Sequence, residues 1–340
     1  MSSCSISTTT IAAADQGGGT PITAIHPDII QSHILNKLDG PTLAATSCAS
    51  AQLLSLCKDD YLWKDICNSA WPSTADRRVA AAISAFPSCH RSFYNDSFPS
   101  LHHHQSNKPQ HIHHRAMDTS ELISAVDIFY DDVLIYSKVL VTETLSTWFL
   151  GLPFRLDLLE PKEIVLTPLK FDQDGGAWKS LAEERLRVSW ILIDPFKGRA
   201  VNVASRQVVE ARRHWLTEDM QLRYATVVAG GGEPVQCGVV VTCGGEEGGE
   251  LHVREVCMQI ESMEGKIING MDSLVILQDA MEGQRSKGDS KTERETYEMF
   301  VRMKIQSRER KQRREKSLDL VFIATGVSIF FAIFIYFLWI

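Results

Sequence analysis

The sequence predicts an α+β protein: a small N-terminal helical domain, an antiparallel β-sandwich-like domain, a long charged helix and one C-terminal transmembrane helix. Three observations predict this order along the 340 residues. Residues 25–67 carry apolar positions at helical spacing, interrupted by built-in breaks. From Ser120 the spacing changes to short runs of Val, Ile, Leu, Phe, Tyr and Trp, separated by Gly, Pro and Asp clusters. Finally, Leu318 to Ile340 is apolar apart from Asp319 at its edge. The expected segments are a disordered tail over 1–21, the helical domain over 22–72, a helical and linker segment over 73–119, the β-rich domain over 120–282, a charged linker and juxtamembrane helix over 283–317, and the membrane helix over 318–340.

The first 21 residues are rich in Ser, Thr, Ala and Gly, with no periodicity and no apolar run of the secretory kind. The helical domain follows. Pro27 suits a first helical turn, where its missing N–H has no partner to lose. Ile30, Ile34 and Leu38 fall at i, i+4 and i+8 with Leu35 beside them, forming one apolar stripe. Asp39-Gly40-Pro41 stops that helix, and Thr42 to Leu56 predicts a second one rich in Ala, Ser and Cys. Asp59-Asp60 caps a third, which holds Leu62, Trp63 and Ile66. Some forty residues cannot bury three such stripes internally, so apolar surface is left for a partner.

This stretch resembles the F-box. The resemblance rests on Pro27, Ile34-Leu35-x-x-Leu38, Pro41-x-Leu43 and Leu62-Trp63. The Leu that usually precedes the opening Pro is replaced by His26, and Ala49-Ser50-Ala51-Gln52 stands where the family often has Lys-Arg-Trp. With Cys67 to Ser73 and later blocks, the sequence resembles a plant subfamily of F-box proteins through Gln278. The resemblance implies docking onto the Skp-type adaptor of an SCF ubiquitin ligase, and through it onto cullin and RING subunits. It assigns the adaptor-binding face to Ile25, Pro27, Ile30, Ile34, Leu35, Leu38, Pro41, Leu43, Leu62 and Trp63.

Between the helical and β-rich regions, Val79 to Ala85 predicts a helix that Pro87 ends, with Phe93, Tyr94 and Phe98 packing the segment back. Leu101 to Arg115 holds six histidines, yet no Cys or carboxylate lies within the run, so it reads as a solvated linker. The expected strands are Leu122–Tyr130, Val133–Leu140, Thr147–Phe149, Phe154–Leu158, Glu163–Leu166, Leu186–Ile193, Ala200–Val203, Arg206–Arg212, Leu222–Val228, Val235–Thr242, Leu251–Glu261 and Asp272–Leu277, with Trp178 to Glu184 the one helix among them. Val188 to Val203 resembles a strand-turn-strand of phloem-lectin F-box proteins. Trp178, Trp190 and Trp215 read as core residues.

Enzyme chemistry finds no carrier. The Gly-rich turns at 230–232 and 244–249 lack the phosphate-binding pattern, and the second carries two carboxylates that repel phosphate. No nucleophile elbow and no HExxH pattern occurs. The eight Cys form no CxxC pair and read as reduced thiols. No catalytic residue, metal or cofactor is expected. A formal net charge of −7 offers no electrostatic footprint for nucleic acid.

Gly283 to Glu295 reads as a flexible linker, and Tyr297 to Lys316 as a polar helix whose only apolar cluster is Met299, Phe300, Met303 and Ile305. At ~1.5 Å per residue, Leu318 to Ile340 would extend ~35 Å against a hydrocarbon core of ~30 Å. Arg313, Arg314 and Lys316 suit the cytosolic interface, and Tyr336 and Trp339 the far one. The expectation is a tail anchor in the lipid bilayer with cytosolic N-terminal domains, the endoplasmic reticulum fitting best. The function expected is a non-catalytic, membrane-anchored receptor that captures an unknown protein target with its β-rich domain for ubiquitination. The alternative is a ligase-independent, membrane-tethered lectin-like or scaffold binding protein.

Overall fold

A computed structural model describes residues 25–97, 119–170, 177–214, 216–217, 219–245, 248–283, 285 and 290–339. The chain divides into two compact units between Leu62 and Trp63.

In the first unit, α1 (Pro27–Ile29) begins with His26, whose Nδ1 accepts the Asp28 N–H at 3.3 Å. The uncommon His before Pro27 is thus a helix cap. The expected regular helix does not continue. It widens into a π turn over Ile30–Ile34 and tightens into a 3-10 turn over Leu35–Lys37. The Leu35 N–H reaches the Ile30 carbonyl, so Ile30 and Leu35 share the inward face while Ile34 turns outward. Asp39 caps α2 (Gly40–Ser47), its Oδ1 accepting the Thr42 N–H at 3.0 Å, and hydrogen bonding from the Thr42 side chain and then its N–H lowers the carboxyl pKa. The single helix expected from Thr42 to Leu56 is in fact two, because Ser50 caps a separate α3 (Ala51–Leu56) by accepting the Leu53 N–H. Asp59 accepts a hydrogen bond from Gln31 and another from the Tyr61 N–H as α4 (Asp60–Ala70) begins.

The second unit takes up the rest of α4, a 3-10 turn over Pro72–Ala75, α5 (Arg77–Ile83) and α6 (Cys89–Ser97). Trp63, Trp71, Phe86, Phe93 and Tyr94 pack together here, with Trp71 edge-on to Phe93 at 6.0 Å. Two antiparallel sheets follow. One has the order β2 (Val133–Glu143), β1 (Glu121–Tyr130), β5 (Leu186–Asp194), β6 (Arg199–Asn202). The other runs β3 (Arg155–Asp157), β10 (Glu250–Glu261), β9 (Glu233–Gly244), β8 (Met220–Gly230), β7 (Glu210–Arg213), with β4 (Val165–Lys170) also pairing β10. One apolar core draws on both, including Val126, Ile128, Trp190 and Leu192 from the first and Leu222, Tyr224, Val241 and Met258 from the second. The opposite face of β1 carries Asp127, which is buried and accepts hydrogen bonds from the Ser73 N–H, the Ser73 hydroxyl and the Ser137 hydroxyl.

Three segments differ from the expected strands. Thr147–Phe149 lies in helix α7 (Thr147–Gly151), capped by the Ser146 hydroxyl. Asp272–Leu277 lies in helix α9 (Gly270–Glu282), capped by Asn269, whose Oδ1 accepts the Asp272 N–H at 2.8 Å. A polar cap outweighs the β-like look of a short apolar run such as Leu274 to Leu277. The strand expected over Arg206–Arg212 is confined to β7 at Glu210–Arg213. Helix α8 (Ala177–Arg185) is where a helix is expected. The side chains of Trp178 and Trp215, the six-histidine run and residues 284 and 286–289 of the expected linker lie outside the described residues.

Helix α10 (Ser290–Trp339) is continuous for 50 residues. Ser290 to Glu295, expected as the end of a flexible linker, is therefore helical, and the polar helix expected from Tyr297 begins earlier. Tyr297 and Phe300 are buried, Phe300 against Val227 and Met263, and Met299 and Ile305 are half exposed. Tyr297 donates to Glu210 at 2.7 Å, and Lys304 meets Glu261 at 2.5 Å.

Candidate functional site

The ten positions of the expected adaptor face separate by burial. Ile30, Leu35, Leu43, Leu62 and Trp63 are at most 5% exposed, so their side chains serve the fold of the chain. Pro27, Ile34 and Pro41 face solvent, with Ile25 and Leu38 half-buried. Two large apolar side chains not singled out from the sequence are also exposed here, Ile29 at 50% and Tyr61 at 67%. The exposure of Ile34 itself follows from the π turn. A regular helix would place Ile34, rather than Leu35, beneath Ile30.

The second unit contains a cavity of about 450 Å³. Its wall is formed by the end of α4 with Trp71, by Ser97 at the end of α6, by Phe129 of β1, by Val188 and Ser189 of β5, and by Asn202 of β6. Two ion pairs flank it. Arg187 pairs with Asp132, in the β1–β2 turn where Asp131 and Asp132 both take positive φ. Arg206 meets Glu293 of α10, its backbone N–H donating to the carboxylate at 2.8 Å. The floor is set by Asn202, which accepts from the Trp190 and Ala204 N–H groups and donates to Ser189. Ser97 is 2% exposed, and its hydroxyl has no hydrogen-bond partner among the described residues. None of these residues stands out in sequence, because five separate elements bring the wall together.

Other clusters are occupied by their own chemistry. Asp157, Glu255 and Cys257 converge within ligating distance of one another. The Arg155 guanidinium, however, lies against both carboxylates, and burial pushes the Cys257 thiol up to about 11. That is a charge-compensated ion network around a protonated thiol. Cys237 and Cys243 are wholly buried and pushed up to about 12, so neither offers a thiolate nucleophile at neutral pH. Trp190 is fully buried in the core between the sheets.

Helix α10 is the helix among the described residues that is long and apolar enough to cross a membrane. From Leu318 to Trp339 its side chains are exposed. Arg313, Arg314 and Lys316 stand exposed before that stretch, and Tyr336 and Trp339 are exposed at its far end.

Proteins of Arabidopsis thaliana are similar to the chain over nearly its whole length. F-box protein At2g27310 is 46% identical over 336 residues, covering 94% of this chain and 97% of the relative. F-box protein At3g44326 is 41% identical over 339 residues, covering 96% and 92%. Probable F-box protein At2g36090 is 38% identical over 321 residues, covering 94% of each. No protein-family model matches the chain, and no solved structure does.

Proposed function

The chain belongs to the F-box protein family, and from that premise we propose that it is a non-catalytic substrate receptor of an SCF-type ubiquitin ligase, held at a membrane by α10. The observation that carries the reading is likeness to proteins named F-box proteins over nearly the full length, coupled with exposed apolar residues on the segment that resembles the F-box. In this reading the Skp-type adaptor meets Pro27, Ile29, Ile34, Leu38, Pro41 and Tyr61. The buried Ile30, Leu35 and Leu43 hold the turns that present them. Cullin and RING subunits then bring the ubiquitin-loading machinery, and no residue of this chain takes part in the transfer. The cavity beside Ser97 is the proposed seat for part of a target. Its paired arginines and carboxylates and its free hydroxyl favour a polar group, and Trp71 and Phe129 favour apolar contact. Anchoring in the bilayer, with the β-rich unit in the cytosol, raises the effective concentration of membrane-bound targets.

The test is adaptor capture by the full chain in mild detergent. Truncation before α10 is unsuitable because it would strip Tyr297 and Phe300 from the sheet. Leu35 is also unsuitable, since at 1% exposure a charge there probes folding. Ile34→Asp with Leu38→Asp addresses the surface. Each lost apolar contact is worth roughly 1–2 kcal/mol, so capture should weaken by more than about tenfold with circular dichroism unchanged. A folded wild type that fails to capture purified adaptor refutes the receptor reading.

A further inference from the structure

We propose that α10 is a rigid strut that fixes the β-rich unit at one height above the bilayer, with its basic run from Arg308 to Lys316 meeting anionic lipid headgroups and the turn at Ser262 to Lys266 held just above them. The inference rests on the membrane reading of α10 given above and adds the geometry of the attachment.

The docking is extended along the helix and polar at both ends. Glu293 receives Arg206, Tyr297 and Phe300 are buried, Lys304 meets Glu261, and Arg308 and Lys311 both reach Glu264, the former through its backbone carbonyl. Glu293 to Lys311 covers about five helical turns, too long a seam for a hinge within it. Gly265 shows how close the approach is. Its φ of +83° favours glycine, and an added Cβ would collide with the Arg308 guanidinium. Just before the helix, Arg285 is pinned by the carbonyls of Asp96, Ala200, Ala280 and Met281.

Beyond Lys311 the helix runs on unbroken. Leu320, the first residue past the last charge, lies nine positions on, ~14 Å along the axis. Leu320 to Trp339 then extends ~30 Å, the thickness of the hydrocarbon core. The headgroup layer takes up roughly 5–8 Å on each side. The turn carrying Glu264 and Lys266 therefore lies within about one Debye length of the headgroups. Six basic residues between Arg308 and Lys316 face two acidic ones, and in the turn the exposed Lys266 pairs with Glu264 at 3.0 Å, so the positive excess sits on the helix. That charge balance selects an anionic bilayer over a neutral one. The consequence is a fixed reach: only targets presenting their recognised segment at this height are captured.

The experiment places a fluorophore at Lys266→Cys, with Cys4, Cys48 and Cys89 replaced by Ser, in the full chain reconstituted into vesicles. The vesicles contain phosphatidylcholine alone, or equal parts phosphatidylcholine and phosphatidylserine, with a headgroup-borne nitroxide quencher. Quenching should be strong, and stronger with phosphatidylserine. Inserting four alanines between Lys316 and Ser317 lifts the turn by ~6 Å and should remove most of the quenching. Phe300→Ala should also reduce it while membrane retention holds. Unchanged quenching after the alanine insertion, or none in the parent chain, overturns the strut. Extraction of the chain by alkaline carbonate is the separate outcome that would instead defeat the membrane reading.

Discussion

Asp127 offers a sharp test of how the helical segment after Trp63 is joined to the sheet. Its Oδ1 accepts the Ser73 N–H at 2.9 Å and the Ser137 hydroxyl at 2.7 Å, while Oδ2 accepts the Ser73 hydroxyl at 2.6 Å. Ser73 is 3% exposed, whereas Ser137 reaches solvent and can find water. In Asp127→Ala, two buried donors of Ser73 lose their acceptor, at roughly 1–3 kcal/mol each. Removing a buried charge offsets part of that, so the net loss should be about 2–4 kcal/mol. Asp127→Asn keeps an oxygen for the N–H, and the hydroxyl of Ser73 can rotate to accept from the amide. Its cost should be about 1 kcal/mol or less. Urea unfolding of the full chain in mild detergent, followed by tryptophan fluorescence, measures both, with Trp71 two residues from the clamp.

The pH dependence supplies the sign. Burial is the largest influence on Asp127 and raises its pKa above the ordinary value of 3.8, against the three hydrogen bonds that lower it. A raised folded-state pKa means that the folded chain binds the extra proton first. This group's contribution is therefore full below 3.8 and declines as pH rises through the folded-state value. The wild type should gain on Asp127→Asn as pH falls from neutrality toward about 4. An Asn variant as unstable as the Ala variant, or a gap that widens the other way with pH, would refute the account of a buried acceptor whose charge is tolerated rather than required.

Two further outcomes follow from local chemistry. Glu163 accepts from the Glu160 N–H, Tyr136 and Lys138, which bring its pKa down to about 2. Its link to β2 should therefore persist above 4.5 and be lost as pH falls toward 2, and an NMR titration showing an ordinary value near 4.5 would contradict the contacts. In native maleimide labelling read by mass spectrometry, Cys48 should react while Cys237 and Cys243 stay unmodified, since the first is exposed and the others are buried protonated thiols. Prompt labelling of Cys237 would mean that β9 opens far more readily than its pairing with both β8 and β10 implies.

Much of the fold was legible in the sequence because local physics is written there directly. The Asp39-Gly40-Pro41 break, the strand through Leu251 and Val253 and the long apolar end of α10 each follow from neighbours along the chain, whereas a bulge between Val253 and Glu255 breaks the alternation expected as far as Cys257 and puts Val256 and Met258 in the core instead. The same is true of the residues that resemble the F-box. What failed was decided by competition between local signals. Leu274 to Leu277 looks like a strand until the Asn269 cap and the core contacts of Ile276 and Leu277 make it a helix. Ile34 looks like core until a π turn gives its place to Leu35. Only tertiary structure could gather the cavity wall from α6, β1, β5 and β6, or lay Phe300 on Val227 and Met263. Such pairings join residues far apart in sequence, so no local pattern encodes them. They arise when the sheets close on one core and the charged helix lays Tyr297 and Phe300 against the outer face of one of them.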